Sequence, residues 1–540
     1  MVERRVPQAR FAGSPAGKTR TMELLSSVFM TLYTAVLIMV SIYGFHRWVL
    51  VYLYYRHRRR EAPLPGQFDP LPRVTVQLPM YNEQYVAQRI IEHICRLRYP
   101  KDRIQIQVLD DSTDETTEIA SAAVAAARGR GFDIEYIHRD DRTGYKAGAM
   151  ENGLKTATGE FVTIFDADFV PEPEILMRSI HYFTDPKVCV VQTRWEHLNR
   201  RDSLLTRSQA IFLDGHFAIE HVARNRSGRF MSFNGTAGTW RRAAIADAGG
   251  WQHDTLTEDM DLSYRAQLRG WKFVFLPNVT APAELPPNIT AFKAQQHRWT
   301  KGGTQTAMKL LPRIWLSKVP LKAKIEATFH LTGFTIHLYM VMLVLMLFPA
   351  MHLQATPTAG AGAAWRTVFD LSIFWLATLS ASTFYLCSQY ELFGTWREAL
   401  KYLPFLMALG VGICVSNAKA VLEAILGRQS EFVRTPKYGA DGVHRAAPRH
   451  DTAAAAGPKR RRFDVIPYIE LALGIYLGTC AVAGAIDTHS MMGAPFLMLF
   501  SVGFFYVSLL SFHAAWVRRR LAAGQPQPPK SKLAAQPQEK

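Results

Sequence analysis

Hydrophobic and polar positions divide the chain into two kinds of stretch. Six segments are apolar almost throughout: 22–55, then about 329–350, 367–389, 403–426, 465–486 and 494–516. Each approaches or exceeds the ~20 apolar residues that carry a helix across a bilayer. Between the first and second lies a stretch, roughly 73–300, where short apolar runs alternate with helical periods. Residues 74–78, 104–109 and 160–165 read as strands, the second with period-two alternation, and 83–98 and 115–128 read as helices between them. Repeated strand–helix units predict a mostly parallel sheet with ligands at the carboxyl ends of its strands.

Charge decides how the apolar segments are used. The 540 residues carry a formal net charge of +18 with a pI near 9.7. Such a balance fits either a nucleic-acid binder or a membrane protein with basic cytosolic loops. Long apolar runs, and the lack of a zinc-finger or RNA-binding aromatic signature, select the membrane and exclude nucleic acid as a partner. Basic clusters at 56–60, 427–462 and 518–520 place those loops in the cytosol, and with them the domain that follows the first cluster. An even number of crossings must then separate 73–300 from 427–462. Segment 403–426 is interrupted by Ser416, Asn417 and Lys419 and followed by Glu423, so it is assigned to the cytosolic face as an interfacial amphipathic helix. Five spans and an outside N-terminus result, although five Lys and Arg residues before Met22 pull the other way.

The resulting organisation is an N-terminal tail (1–21), a first membrane helix (22–55), a proline-rich linker (63–72) and a folded domain (73–300). An interfacial helix region (301–328), two membrane helices (329–389), the interfacial helix (403–426) and a cytosolic loop (427–462) follow. Two further membrane helices (465–516) and a disordered tail (524–540) complete it. The expected setting is a multi-pass protein of the plasma (inner) membrane, in contact with membrane lipid. The first apolar run has no small-residue cleavage site and reads as an anchor. Five cysteines without CxxC spacing predict neither a disulfide framework nor a structural zinc.

Acidic residues cluster where two of the strands end. One run closes on Asp110-Asp111-Ser112 and another on Asp166-Ala167-Asp168. A lone DxD is most often a solvated turn. Two acidic strand ends with a third acidic motif, Thr257-Glu258-Asp259, instead suit a hard divalent cation held against a diphosphate. Lys146 lies between Gly144 and Gly148, where the backbone can approach a phosphate, though a lysine there also serves as a plain surface cation. Glu258 and Asp259 precede an amphipathic helix at 260–269 and could be its acidic first turn. Gln295 shares a helical face with Arg298 or Trp299; the indole suits a pyranose ring or, alternatively, the membrane interface.

Seven motifs occur in order over 73–300: Tyr81-Asn82-Glu83, Asp110-Asp111-Ser112, Gly144-Tyr145-Lys146-Ala147-Gly148, Asp166-Ala167-Asp168, Phe233-Asn234-Gly235-Thr236-Ala237, Thr257-Glu258-Asp259 and Gln295-Gln296-His297-Arg298-Trp299. In this set the chain resembles family 2 glycosyltransferases of the cellulose synthase superfamily. Its wording is nearest to the plant cellulose synthase-like branch that makes mannan or glucomannan and the xyloglucan backbone. The resemblance implies an α/β GT-A domain, Rossmann-like with a mostly parallel sheet, cytosolic and embedded between transmembrane α-helices.

It further implies a membrane-bound inverting hexosyltransferase, a processive polysaccharide synthase. Such an enzyme transfers sugar from a nucleotide-sugar (GDP-mannose or UDP-glucose) to a β-linked, β-1,4 glycan and translocates it. Asp110, Lys146, Asp166, Asp168, Gln295 and Arg298 are implied to bind the donor, with Asp166 and Asp168 holding Mg2+ or Mn2+. Asp259 is the implied general base, with Glu258 beside it. Trp299, Asn234, Gly235 and Thr236 are implied to line the acceptor end. Phe432, Thr435 and Lys437 match a gating loop, with Arg434 where that loop has valine and Pro436 stiffening the turn. Aromatic residues of the spans (Phe329, Phe334, Tyr339, Phe374, Trp375, Tyr385) either stack on a moving glycan or pack as ordinary membrane residues. Two rivals stand beside this reading: a glycolipid synthase with a lipid acceptor, and a non-catalytic scaffold or transporter. Oligomeric state is not legible.

Overall fold

The structure is a computed structural model that describes residues 15–354, 361–429, 434–439, 464–486 and 494–524. Its sheet holds seven strands: β1 (Val74–Met80), β2 (Ile104–Asp110), β3 (Asp133–His138), β4 (Phe161–Ile164), β5 (Val188–His197), β6 (Gly238–Arg241) and β7 (Lys272–Ala283). Their order across the sheet is β3-β2-β1-β4-β6-β5-β7. The first four run parallel, β6 runs antiparallel to both β4 and β5, and β7 is parallel to β5. The mostly parallel sheet expected from the strand–helix alternation is therefore present, with a single reversed strand in its middle.

Every residue of β1 and β2 is buried, so the strand read at 104–109 from its period-two alternation is present with both of its faces covered. Its polar positions face a covering helix instead of water. Gln77 donates to Gln107 Oε1 at 3.0 Å, Gln107 donates to the Gly153 carbonyl at 3.0 Å, and Thr75 donates to Gln105 Oε1 at 2.8 Å. A buried polar row survives because each amide finds a partner. On the sheet's other side, Val76, Leu78, Ile106 and Val108 meet Ile90, Ile94 and Val124 from the flanking helices.

The helices outside this domain are of another kind. Among the described residues, four are long and apolar enough to cross a membrane: Thr21–His57, Leu321–Leu353, Ile466–Ala485 and Ala494–Arg520. A fifth appears if Arg397–Gly412 and Cys414–Ile425, which meet at 41°, count as one broken span. Helix Ala361–Phe393, counted as a span from the sequence, is long enough but not among the four. Their outer faces carry exposed Leu32, Leu345, Trp375, Val482 and Leu509, a surface suited to hydrocarbon.

Segment 403–426 is thus two helices with a bend at Ile413 rather than one continuous amphipathic helix. Of the polar residues that seemed to interrupt it, Ser416 and Asn417 are buried and Lys419 is exposed. Asn417 is fully buried and bonds His337, while Glu423 lies 3.3 Å from Lys301 and 3.4 Å from His297. Close backbone approach holds the first half: a Cβ on Gly412 would lie 2.4 Å from the Gly503 carbonyl, the small-residue contact typical of membrane helices. The domain boundary drawn at 300 falls inside a single helix, Ile289–Leu316, which carries the Gln-Gln-His-Arg-Trp motif from the sheet toward the apolar helices.

Candidate functional site

The carboxyl ends of β1 and β4 open into a cavity of about 180 Å3. Carboxylates (Asp166, Asp168, Glu258, Asp259) and cations (Lys146, Arg298, Lys437) share its wall. Asp166 and Asp168 stand just past β4, where the strand gives way to a turn. Lys146, in the first turn of Tyr145–Leu154, reaches across to Asp166 Oδ1 at 2.5 Å and to the Gly235 carbonyl at 2.9 Å. The glycines around it serve the chain itself. Gly144 has φ +75°, and a Cβ on Gly148 would strike the Thr143 carbonyl at 2.1 Å.

The segment 234–236 is held at each residue. Asn234 accepts from His221 Nε2 at 2.6 Å and contacts His216 Nε2 through Nδ2 at 3.0 Å. Gly235 has φ +81°, and a Cβ there would lie 3.0 Å from Asp259 Oδ2. Thr236 is fully buried and its hydroxyl accepts from the Asp166 amide at 2.9 Å. Thr236 therefore supports the Asp-Ala-Asp turn from behind instead of facing the cavity.

Asp259 lies in the first turn of Glu258–Leu268, its Oδ1 accepting from the Met260 amide at 2.7 Å. Burial, reinforced by the neighbouring Glu258 carboxylate, pushes its pKa up to about 7. Burial also raises Glu258. Burial alone would lower Lys146, but Asp166 and Glu258 outweigh it and hold the ammonium above its usual value. Desolvation brings the Arg298 guanidinium down, against the pull of Glu258, Asp166 and Asp259. Gln295, Arg298 and Trp299 all face this cavity from the same helix, as their spacing predicts.

Thr435 and Lys437 close the opposite side, with Phe432 lying outside the described residues. Lys437 donates to Asp168 Oδ2 at 2.6 Å, and Tyr438 N donates to Glu284 Oε2 at 2.9 Å. The Arg434 substitution has a specific partner: its Nε lies 3.2 Å from Glu83 Oε1, and it also bonds the Asn82 carbonyl. Burial raises Glu83 to about 7 even with Arg434 and Lys437 opposing. Glu83 stands in the Tyr81-Asn82-Glu83 motif, but nothing local links positions 83 and 434, so this pairing is not legible in the sequence.

Asp110 is brought elsewhere. Fully buried at the end of β2, it accepts from Tyr136 OH at 2.6 Å and from the Ser112 amide at 3.0 Å, with His138 Nδ1 at 3.3 Å. Its neighbour Asp111 lines the cavity. The acidic strand end was legible; which of its two aspartates faces the ligand space was not, because pairing with β3 decides it.

A second cavity of about 430 Å3 adjoins the first. Asn234, Asp259 and Trp299 line both. Much of its wall is apolar and aromatic and comes from the helices outside the sheet, with Leu50, Phe329, Phe334, Met340, Tyr385 and Leu406, while Arg47, His216, Glu220 and Arg224 add a charged side. Of the six span aromatics named from the sequence, Phe329, Phe334 and Tyr385 line it, and Trp375 faces outward at 57% exposure.

No cluster of three or more potential protein metal ligands occurs among the described residues. Two carboxylates nonetheless fit Mg2+ or Mn2+, since such ions take one or two carboxylates and complete their shell with water and substrate phosphates.

A family model described as glycosyltransferase-like family 2 matches residues 72–302. An Arabidopsis thaliana protein named probable glucomannan 4-beta-mannosyltransferase 10 is 34% identical over 81% of this chain and 77% of its own length. One from Oryza sativa subsp. japonica, named probable glucomannan 4-beta-mannosyltransferase 9, is 36% identical over 81% of each chain. A third, glucomannan 4-beta-mannosyltransferase 2 of Arabidopsis thaliana, reaches 46% identity over 252 residues, 46% of this chain and 47% of that one. Among solved structures, a Pyrobaculum calidifontis mannosyltransferase in complex with GDP-Man and Mn2+ aligns with TM-score 0.49 at 21% identity, over 74% of this chain and all of that one.

Proposed function

Since this chain belongs to glycosyltransferase family 2, in its cellulose synthase-like branch, and is a hexosyltransferase acting on a nucleotide-sugar, we propose that it transfers mannose from GDP-mannose to the end of a β-1,4-linked glycan and passes the growing chain between its membrane helices. One observation carries the reading: Asp259 lines both cavities, the charged one at the sheet and the aromatic one among the apolar helices. A base so placed takes a proton from an acceptor entering on one side while the donor sits on the other. Of the two donors open from the sequence, the relatives' names favour the mannosyl one.

In this mechanism the diphosphate lies against Lys146 and Arg298, whose charges are oriented toward it before it arrives. A divalent cation held by Asp166 and Asp168 would, when bound, offset negative charge on the departing diphosphate. Asp259 removes the proton from the acceptor hydroxyl as its oxygen attacks the anomeric carbon. The carbon–phosphate oxygen bond breaks, the electron pair leaves with the nucleoside diphosphate, and an α-linked donor gives a β-linked product. Trp299 offers its indole face to the acceptor ring. The catalytic domain lies on the cytosolic side, where Arg58, Arg59 and Arg60 follow the first apolar helix, and four or five apolar helices anchor it.

Purified protein in nanodiscs, given a panel of nucleotide-sugars and a manno-oligosaccharide acceptor, should release nucleoside diphosphate fastest with GDP-mannose. It should make a polymer that endo-β-1,4-mannanase degrades. A lipid-extractable product of one or two sugars would replace this reading with a glycolipid synthase.

A further inference from the structure

Helix Leu204–Asp214 does not continue as an α-helix. It widens into a π-helical turn, Gly215–His221, and resumes at Val222–Arg226. Such turns are rare and frequently lie at functional sites. At 3.6 residues per turn, positions five apart point to different sides of a helix, so His216 and His221 should diverge. The wider turn brings them together, with ring centroids 4.3 Å apart. Both rings then reach one side chain, Asn234.

Resting on the reading that this end of the cavity receives the acceptor, we propose that His216 and His221 are positioning residues that lock the Asn234 amide in one orientation for an acceptor hydroxyl. The hydrogen bonds fix the chemistry of each ring. Asn234 Oδ1 only accepts, so His221 offers Nε2–H. Burial holds His221 well below its usual pKa and therefore neutral. Asn234 Nδ2 only donates, so His216 offers an Nε2 lone pair and carries its proton on Nδ1. Glu220 Oε1 stands 3.4 Å from that Nδ1.

Glu220 is itself braced. Burial works against its charge, but Arg224, His216 and Arg47 keep it well below the usual carboxylate range. Arg47 Nη1 lies 3.0 Å from Glu220, and Arg224 Nε lies 3.0 Å from Glu326, which His46 also approaches at 3.1 Å. Residues of the first apolar helix thus support the clamp. The two histidines consume one donor and one lone pair of the Asn234 amide. One N–H and one lone pair are left, beside Asp259 and Trp299 on the shared wall of both cavities. A sugar hydroxyl, which both donates and accepts, needs that pair, and an amide free to turn over would offer it in either sense.

The test compares full-length wild type with His221→Leu, His221→Gln, His221→Asn, His216→Leu and Asn234→Ala in nanodiscs. Nucleotide Kd, acceptor KM and kcat are measured with GDP-mannose and a manno-oligosaccharide. His221→Leu and His216→Leu should raise acceptor KM about tenfold, toward the value for Asn234→Ala, with nucleotide Kd within about twofold. His221→Gln, whose amide nitrogen falls near the imidazole Nε2, should restore most of the affinity, and His221→Asn, one carbon shorter, should not. If the leucine variants fail to fold, the Gln-against-Asn contrast alone decides. Unchanged acceptor KM, or equal weakening of nucleotide and acceptor without rescue by glutamine, overturns the proposal. A wild-type enzyme that never extends the oligosaccharide overturns the functional reading itself.

Discussion

Lys437 Nζ lies 2.6 Å from Asp168 Oδ2, joining residues 269 positions apart. The ammonium sits on the carboxylate that a divalent cation would use, so lysine and metal compete for one oxygen. Lys437→Met should tighten Mn2+ binding in the absence of donor by about tenfold, since charged hydrogen bonds contribute ~1.5–3 kcal/mol and the ion no longer displaces one. Calorimetric titration with Mn2+ reads this directly. Unchanged or weaker binding would mean that Lys437 does not shield the site.

Chelation should abolish transfer, and added Mn2+ or Mg2+ should restore it, because Asp166 and Asp168 offer hard oxygen ligands suited to those ions. Asp168→Asn should raise the cation concentration needed for half-maximal rate. Full turnover in excess EDTA would rule the metal out.

As the proposed general base, Asp259 would act only when ionised, and its pKa is pushed up to about 7. The rate should therefore fall about tenfold per pH unit below that point and level off above it. Because the Glu258 charge contributes to the rise, Glu258→Gln should move the acid limb to lower pH. Asp259→Asn should lose ~10²–10⁴-fold in transfer while still binding nucleotide. A pH–rate profile flat from 5 to 9, or an active Asp259→Asn, would place the base elsewhere.

Gly235 combines φ +81° with a Cβ position 3.0 Å from Asp259 Oδ2 and 3.5 Å from Lys146 Nζ. Gly270 has a similar φ of +92° and open space around it. Both alanine variants should be destabilised by ~1–2 kcal/mol from the left-handed backbone. Only Gly235→Ala should also lose transfer, by more than about tenfold. Equal activity in the two variants would show that the crowding is harmless.

What the sequence showed and withheld follows from the range of the interactions involved. Asp166, Asp168, Glu258, Asp259, Arg298 and Trp299 could be named because short motifs place each on a turn or helix face, and all of them line the charged cavity. Asp110 and Asp111 are adjacent, so local pattern could not tell which would turn to Tyr136 on the next strand. Gln105 and Gln107 give 104–109 its period-two alternation, but local pattern does not show that their partners lie at Thr156 and Gly153, since bonded and solvated polar side chains share that period. Asn417 suggested an interfacial helix for a similar reason: its partner His337 is 80 residues away. His216 and His221 carried a faint signal, two histidines five apart, which makes sense only when a wider helical turn is known.

The fixed loop at 234–236 bears on how this enzyme could be redesigned. Asn234 is gripped by two histidines, Gly235 by Lys146, and Thr236 by the Asp166 amide. Substitutions at Gly235 or Thr236 would loosen contacts to Lys146 and Asp166, and one at Asn234 would release the two histidines, so a library aimed at this loop would return mostly impaired variants. Freedom to vary lies in the apolar wall beyond it, where Phe292, Phe334, Met340 and Leu406 line the second cavity and not the charged one. An effort to accept a branched or differently decorated glycan should begin with those four side chains and leave the loop untouched.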